Sequence, residues 1–343
     1  MKPLHLGIVG ASSLKGKELK EALEDTHFAL SDIALLDDEI ALGKLEAVGD
    51  EATFIQAIND ETLEDLDLAF FTGDSALTRK HYQVARRANC SIIDTSYALE
   101  GEPGFPVRSP WLEEQLGAPP PLDAAGAVVA HPVATALAMI LLRLGSVAKL
   151  RTAAATILQP ASETGHAGMD ELHQQTINLL NFTPLPKEVF DTQVAFNLVA
   201  HYGAGKAVPL ERVQKRIQSH IAAIAPTVLR PAVMVVGAPA FHAHTFSLYI
   251  ELESANNAAQ LAAALNAPHL HVILPDAEPQ DQPSNLNSAG EARIALSVRA
   301  ASARKDNPAF WIWAAADNFK LTALTAIDCA RKILDMRPTG QVQ

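Results

Sequence analysis

Residues 4–16 read Leu4-His5-Leu6-Gly7-Ile8-Val9-Gly10-Ala11-Ser12-Ser13-Leu14-Lys15-Gly16, and this stretch decides the fold class. Residues 4–9 are an apolar run of strand type, Gly10 to Gly16 a glycine-containing turn, and 16–26 a helix-forming segment. In such a turn glycine lets the backbone approach a pyrophosphate closely. The helix N-terminus that follows supplies N–H donors and the positive end of a dipole. The spacing Gly10-x-x-Ser13-x-x-Gly16 is two-thirds of a Gly-x-x-Gly-x-x-Gly pattern, with Ser13 adding a side chain where the closest approach is wanted. The stretch reads either as a dinucleotide loop or as a tight strand-to-helix turn without a ligand.

Working outward, strand-like runs recur near 33–37, 68–72, 91–95 and 126–130, with helical segments at 76–89 and from about 133 to 144. This alternation predicts an α/β fold with a Rossmann-like, doubly wound parallel sheet. The end of the second strand carries Asp37-Asp38-Glu39, which can accept hydrogen bonds from a ribose 2′-hydroxyl and would repel a 2′-phosphate. If a dinucleotide binds, these residues favour NAD over NADP; a solvated acidic turn is the other reading. The Pro- and Gly-rich stretch 101–122 reads as irregular loop.

Beyond residue 150 the texture changes. Longer strand-like runs at 151–159, 227–237, 244–252 and 292–299, with helices at 166–180 and 209–224, predict an α+β second domain with a mixed or antiparallel sheet. The polar segment 275–290 reads as loop, and a last helix at about 317–336 returns to the first domain. The expected division is therefore 1–130 with 318–343 for the dinucleotide-binding domain and 131–317 for the second domain.

Composition narrows the classes of function. The net charge of −12 over 343 residues argues against nucleic acid or an anionic membrane as partner, since both need a basic field. The apolar stretch from Ala124 to Leu144 is broken by His131-Pro132 and carries Arg143 near its end, so it reads as a buried strand and core helix and not as a membrane span. The N-terminal residues read as a first strand and not as a signal peptide. Two cysteines, Cys90 and Cys329, give no metal spacing and suit a reducing cytoplasm.

Several motifs, taken in order, make the chain resemble the aspartate-semialdehyde dehydrogenase family over nearly its whole length. They are Gly7-x-x-Gly10-Ala11 with Gly16; Phe70-Phe71-Thr72-Gly73 with Ile92-Ile93-Asp94-Thr95-Ser96; and Gln159-Pro160-Ala161-Ser162 with Gly165-His166-Ala167-Gly168. Further along come Gln193-Val194-Ala195-Phe196-Asn197, Pro239-Ala240-Phe241-His242-Ala243-His244 and Ala316-Asp317-Asn318. The resemblance implies NAD or NADP as cofactor, held through Gly7, Gly10, Ser12, Ser13, Leu14, Gly16, Thr72, Gly73 and Asn318. It also implies a homodimer built through the second domain. His244 corresponds to the family's proton-moving histidine and Gln159 to the glutamine that positions the reacting group.

The departures fall on the chemistry. Where the family has its nucleophilic cysteine, within Asn-Pro-x-Cys, this chain has Ala134 in His131-Pro132-Val133-Ala134. The substrate-holding arginine positions are Glu100 and Gly237, and the family's lysine falls approximately on Val213. The parent reaction needs a thiolate to form a thiohemiacetal and then a thioester. An alanine cannot take that role. Thr135 and Ser162 are the neighbouring hydroxyls; Cys90 and Cys329 read as buried apolar residues. Guanidinium forks hold carboxylate and phosphate by paired charged hydrogen bonds, and Glu100 places a negative charge where an anion would bind.

The chain thus resembles the Usg-like branch, which lacks the cysteine, and is expected to be inactive in the parent reaction. Two other functions fit the residues. One is an NAD(P)-dependent oxidoreductase acting without covalent catalysis, with His244 as acid/base. The other is an interaction subunit, for which Phe310 and Trp311-Ile312-Trp313 offer a surface, with core as the default role of that run. His131, His166 and His242 are the histidines able to approach His244. With no H-x₃-H spacing and no carboxylate paired to them, no metal is expected.

Overall fold

The computed structural model describes residues 4–29, 31–38, 41, 43–48, 51–117, 126–254, 257–274, 276–302 and 308–335. Glu39, residues 118–122, Pro275 and Met336, on which parts of the expectations above fall, lie outside them. The chain forms two compact units, Met1–Ala130 with Thr322–Gln343, and His131–Leu321.

The first unit contains strands β1 (His5–Val9), β2 (Asp32–Asp37), β3 (Leu45–Val48), β4 (Glu51–Phe54), β5 (Gln56–Ala57), β6 (Leu68–Phe71), β7 (Ser91–Asp94), β8 (Val107–Arg108) and β9 (Gly126–Val129). Its helices are α1 (Leu14–Glu24), α2 (Asp60–Glu64), α3 (Ser75–Arg87) and α4 (Pro110–Leu116). Seven strands make one sheet in the order β5-β2-β1-β6-β7-β9-β8, every pairing parallel; β3 and β4 form a separate antiparallel pair. Successive side chains on the central strands go to opposite cores. Leu68, Phe70 and Ile93 pack with Leu19 and Leu23 of α1 and with Ala326 and Ile333, whereas Ala69, Phe71 and Ile92 pack with Tyr82 and Ala85 of α3. Apolar cover on both faces is why these strands read as unbroken hydrophobic runs and not as alternating ones.

The stretch 101–122 is not wholly irregular: it holds β8 and α4. Pro110 occupies the first turn of α4, where its missing N–H costs nothing, and Gly117 ends the helix with φ +66. Trp111 and Leu112 are 2% and 0% exposed, and the buried Arg108 guanidinium is held by the carboxylate of Glu113. The Pro and Gly content marked the ends of a helix.

The second unit opens with α5 (Pro132–Gly145), followed by β10 (Leu150–Gln159), a short 3₁₀ turn at Ala161–Thr164, α6 (Gly165–Leu180) and α7 (Leu210–Ile224). Next come β11 (Ala232–Gly237), β12 (His244–Leu252), α8 (Ala258–Leu265), β13 (Leu270–Val272), α9 (Asn285–Ser288), β14 (Ile294–Ala300) and β15 (Ala309–Ala316). Helix α10 (Asn318–Asp335) starts here, and its residues from Thr322 onward belong to the first unit. The six-stranded sheet runs β11-β10-β12-β15-β14-β13 and is mixed. The pairs β10/β11 and β13/β14 are parallel and the rest antiparallel.

The expected strand at 227–237 begins only at Ala232, because Pro231 has no N–H to give a ladder. The aromatic run alternates on β15: Phe310 and Ile312 are buried, while Trp311 is 46% exposed, so core describes only half of it. The segment 275–290, read as loop, includes the single turn of α9. Among the described residues, no helix is long and apolar enough to cross a membrane.

Candidate functional site

In the first unit the loop after β1 is braced from three sides. Gly10 has φ +87, and a Cβ there would lie 2.4 Å from the Gly73 nitrogen; a Cβ on Gly16 would lie 2.6 Å from the Gly10 carbonyl oxygen. Both positions therefore need glycine for close backbone approach. Ser13 is the N-cap of α1: its hydroxyl accepts from the Gly16 N–H at 2.9 Å and donates to the Thr72 carbonyl at 3.0 Å. Thr72 in turn donates from its own hydroxyl to the Val9 and Gly10 carbonyls at 3.1 Å. Of the acidic pair at the end of β2, Asp37 is buried and accepts from Ser12 N–H at 2.7 Å and Asp38 N–H at 2.9 Å, while Asp38 is exposed. Asp37 thus buttresses the loop, and Asp38 is the carboxylate that faces outward. Lys15 reaches over the Tyr97 ring and donates to the Thr95 carbonyl at 2.7 Å. Glu100 lies on an exposed turn of this unit.

In the second unit, one end of the mixed sheet gathers the candidate chemistry. Gln159 ends β10 beside Gly237, which ends β11, and His244 begins β12 opposite Ala316 of β15. The 3₁₀ turn is stitched to the segment before β12 by Ala161 N–H to the Ala240 carbonyl (2.8 Å) and Ser162 N–H to the Phe241 carbonyl (3.1 Å). Asn318 ties the same place from α10. Its amide nitrogen donates to Glu163 at 2.9 Å and to the Ser162 hydroxyl at 3.2 Å, and its oxygen accepts from Ala243 N–H at 3.2 Å.

His131 caps α5 by accepting from Val133 N–H at Nδ1, 3.2 Å away, and its own N–H donates to Nδ1 of His220 on α7 at 2.9 Å. Its ring centroid is 5.5 Å from that of His244. Ala134 lies in the first turn of α5 with no exposed surface.

His244 is 1% exposed, and neither ring nitrogen has a hydrogen-bond partner among the described residues; the same holds for Oε1 of buried Gln159. Buried polar atoms left unpaired are rare and costly, which makes this end of the sheet the candidate site of the second unit. Burial pushes the His244 imidazole below its ordinary pKa, opposed by the charges of Glu163 and Asp317, so its neutral form is favoured. The remaining expected neighbours stand apart: His166 is exposed on α6, and His242 packs on Phe319 with ring centroids 5.9 Å apart.

Two residues escaped the sequence reading. Glu163 supplies a carboxylate beside the histidines. Tyr202 fills the space in front of Gly237, where an added Cβ would lie 2.6 Å from its hydroxyl oxygen, and its phenol is held in the neutral form by burial. No local motif marks either one, because each reaches the site through the fold of the whole unit. Both cysteines lie in the first unit, buried in its two apolar cores, and the second unit contains none.

A parallel nucleotide-type sheet with a braced glycine loop, joined in one chain to a mixed-sheet domain with a buried glutamine and histidine at one strand end, is the plan of a two-domain dehydrogenase. The chain belongs to the semialdehyde dehydrogenase family: the family's NAD binding domain matches residues 5–138 and its dimerisation domain residues 142–320.

Among its relatives, a protein called USG-1 protein homolog from Azotobacter vinelandii is 29% identical over 338 residues, covering 96% of this chain and 98% of its own. An aspartate-semialdehyde dehydrogenase of Rickettsia bellii (strain RML369-C) is 26% identical over 336 residues, covering 97% and 98%. A solved structure described as a probable aspartate-semialdehyde dehydrogenase from Pseudomonas aeruginosa superposes with a TM-score of 0.83 at 26% identity, covering 98% and 99%.

Proposed function

We propose that this chain keeps the semialdehyde dehydrogenase scaffold without its thiol chemistry: a homodimer, able to hold NAD or NADP, that does not oxidise aspartate semialdehyde through a thioester. The observation that carries this reading is the placement of sulfur. The unit that holds Gln159 and His244 has no cysteine, and Ala134 presents only a methyl group in the first turn of α5. A hydroxyl does not replace the thiol readily. Ser162 accepts the Asn318 amide, and attack by an alcohol needs a strong base in contact with it.

The dinucleotide reading is supported by the braced loop Gly7–Gly16 and by the match to the family's NAD binding domain; the dimer is supported by the match to its dimerisation domain. Large apolar side chains left exposed on the second unit, Met234 and Trp311 on strands and Phe196 and Leu198 between α6 and α7, supply surface for a copy of the chain to cover. Two buried thiols are in keeping with a reducing cytoplasm.

The test is phosphate-dependent reduction of NAD or NADP with aspartate semialdehyde. No turnover is expected from the wild type, and little from Ala134→Cys, because Glu100 and Gly237 remain. Wild-type turnover at rates usual for dehydrogenases would sink the proposal. A second reading draws on the unpaired nitrogens of His244: non-covalent oxidoreduction of an alcohol or ketone, with His244 moving the proton. Dinucleotide turnover with a panel of alcohols, lost in His244→Gln, would favour it.

A further inference from the structure

We infer that His131, Glu163 and His244 form a site for a divalent transition-metal ion, with zinc as the best match, at the N-terminus of α5. Among the described residues these three form the one group whose ligand atoms, one from each, all lie within 4.8 Å of one another. The sequence shows neither an H-x₃-H spacing nor a carboxylate paired with these histidines. The fold supplies one, since the 3₁₀ turn after β10 delivers Glu163 to the start of β12.

Two imidazoles and one carboxylate are borderline donors of the kind zinc prefers. Three protein ligands leave a fourth position open for water or a substrate oxygen. At metal–nitrogen and metal–oxygen bonds of about 2.0–2.2 Å, a tetrahedral ion needs its donors about 3.3 Å apart, so the three side chains have to close inward by small rotations.

The second observation is His244 itself. It is 1% exposed with neither ring nitrogen bonded among the described residues, and it faces a partly buried carboxylate. An ion would satisfy one of those nitrogens. The support that metal ligands need is also present: Asn318 fixes Glu163 at 2.9 Å, and His220 holds the His131 backbone at 2.9 Å. Two effects oppose a cation. The N-terminus of α5, which His131 caps, brings positive charge to the site, offset by the carboxylates of Glu163 and Asp317, both of which act electrostatically on His244. Coordination through Nε2 of His131 also moves its ring proton to Nδ1 and gives up the 3.2 Å cap on Val133. The site therefore rearranges on loading. This inference stands apart from dinucleotide binding and holds whether or not the first unit takes NAD.

The experiment uses the full chain, stripped with a chelator and then titrated with Co²⁺ as a visible probe and with Zn²⁺ in competition against a chromophoric chelator. The expected result is one Co²⁺ per chain with the intense bands of a four-coordinate ion, displaced by Zn²⁺. His244→Gln and Glu163→Gln should each weaken zinc by about 100-fold or more, while His166→Gln, an exposed histidine on α6, leaves it unchanged. Circular dichroism checks that each variant folds. If one does not, the wild-type cobalt spectrum and stoichiometry decide. Absence of a stoichiometric cobalt spectrum in the wild type, or zinc affinity unchanged in both folded variants, would overturn the assignment.

Discussion

The Tyr202 hydroxyl oxygen stands 2.6 Å from the point where a Cβ on Gly237 would fall, with Cε1 of the same ring at 2.7 Å. The two residues are locked together. An isolated bridge pairs Val199 with Gly237 through bonds of 3.0 and 2.8 Å, and the ring packs on Phe190 with centroids 5.0 Å apart. The space that a side chain at Gly237 would need is thus already occupied. Gly237→Ala should lower stability by about 1–3 kcal/mol through overpacking, and Tyr202→Ala should relieve that part of the cost. A double-mutant cycle in urea checks this. A coupling energy near zero would show that the ring moves aside freely.

The buried pair Arg108–Glu113 ties α4 to β8. Glu113→Gln leaves a guanidinium that is 1% exposed without its charge partner, and should cost about 3–5 kcal/mol. Equilibrium denaturation of the two proteins gives the difference directly. A loss under about 1 kcal/mol would mean that Arg108 has found water.

Burial raises the Cys329 thiol to about 12, and Cys90 is only 3% exposed. The native protein should therefore react with no equivalents of Ellman's reagent at pH 8, and with two after denaturation. Rapid labelling of a native thiol would contradict the burial of both and reopen the search for a nucleophile.

Lys20 donates to Glu46 at 2.9 Å, and that hydrogen bond, ahead of the opposing effect of burial, holds the Glu46 carboxyl below its ordinary range. A depressed folded-state value means that its contribution is present above the unfolded carboxyl pKa and lost as pH falls through the folded one. Because the pair is near the surface, Glu46→Gln should cost about 0.5–1 kcal/mol at pH 7 and less as pH drops below about 4. Thermal melts at both pH values test the sign; an equal loss at both would rule out the ionic origin.

How much was legible in the sequence follows from where each constraint lives. The runs at 68–71 and 91–94 were readable because a strand covered on both faces must be apolar throughout. The turn at Gly10 was readable because positive φ and close approach select glycine. Pro110 and Gly117 misled because the residues that break helices are also those that begin and end them. Glu163 and Tyr202 were invisible for a different reason. A carboxylate on a 3₁₀ turn, and a tyrosine in an irregular stretch, acquire their roles only when distant strands place His244 and Gly237 against them. Local periodicity carries no record of that placement.

The Ser13 hydroxyl, bonded to the Gly16 N–H, has a meaning for affinity. In its resting form the loop carries an internal surrogate for a phosphate oxygen, so one donor that an incoming pyrophosphate would use is already engaged. A dinucleotide using that donor would have to displace the protein's own side chain. Such an internal competitor lowers the apparent affinity by a constant factor and leaves the shape of the binding curve unchanged.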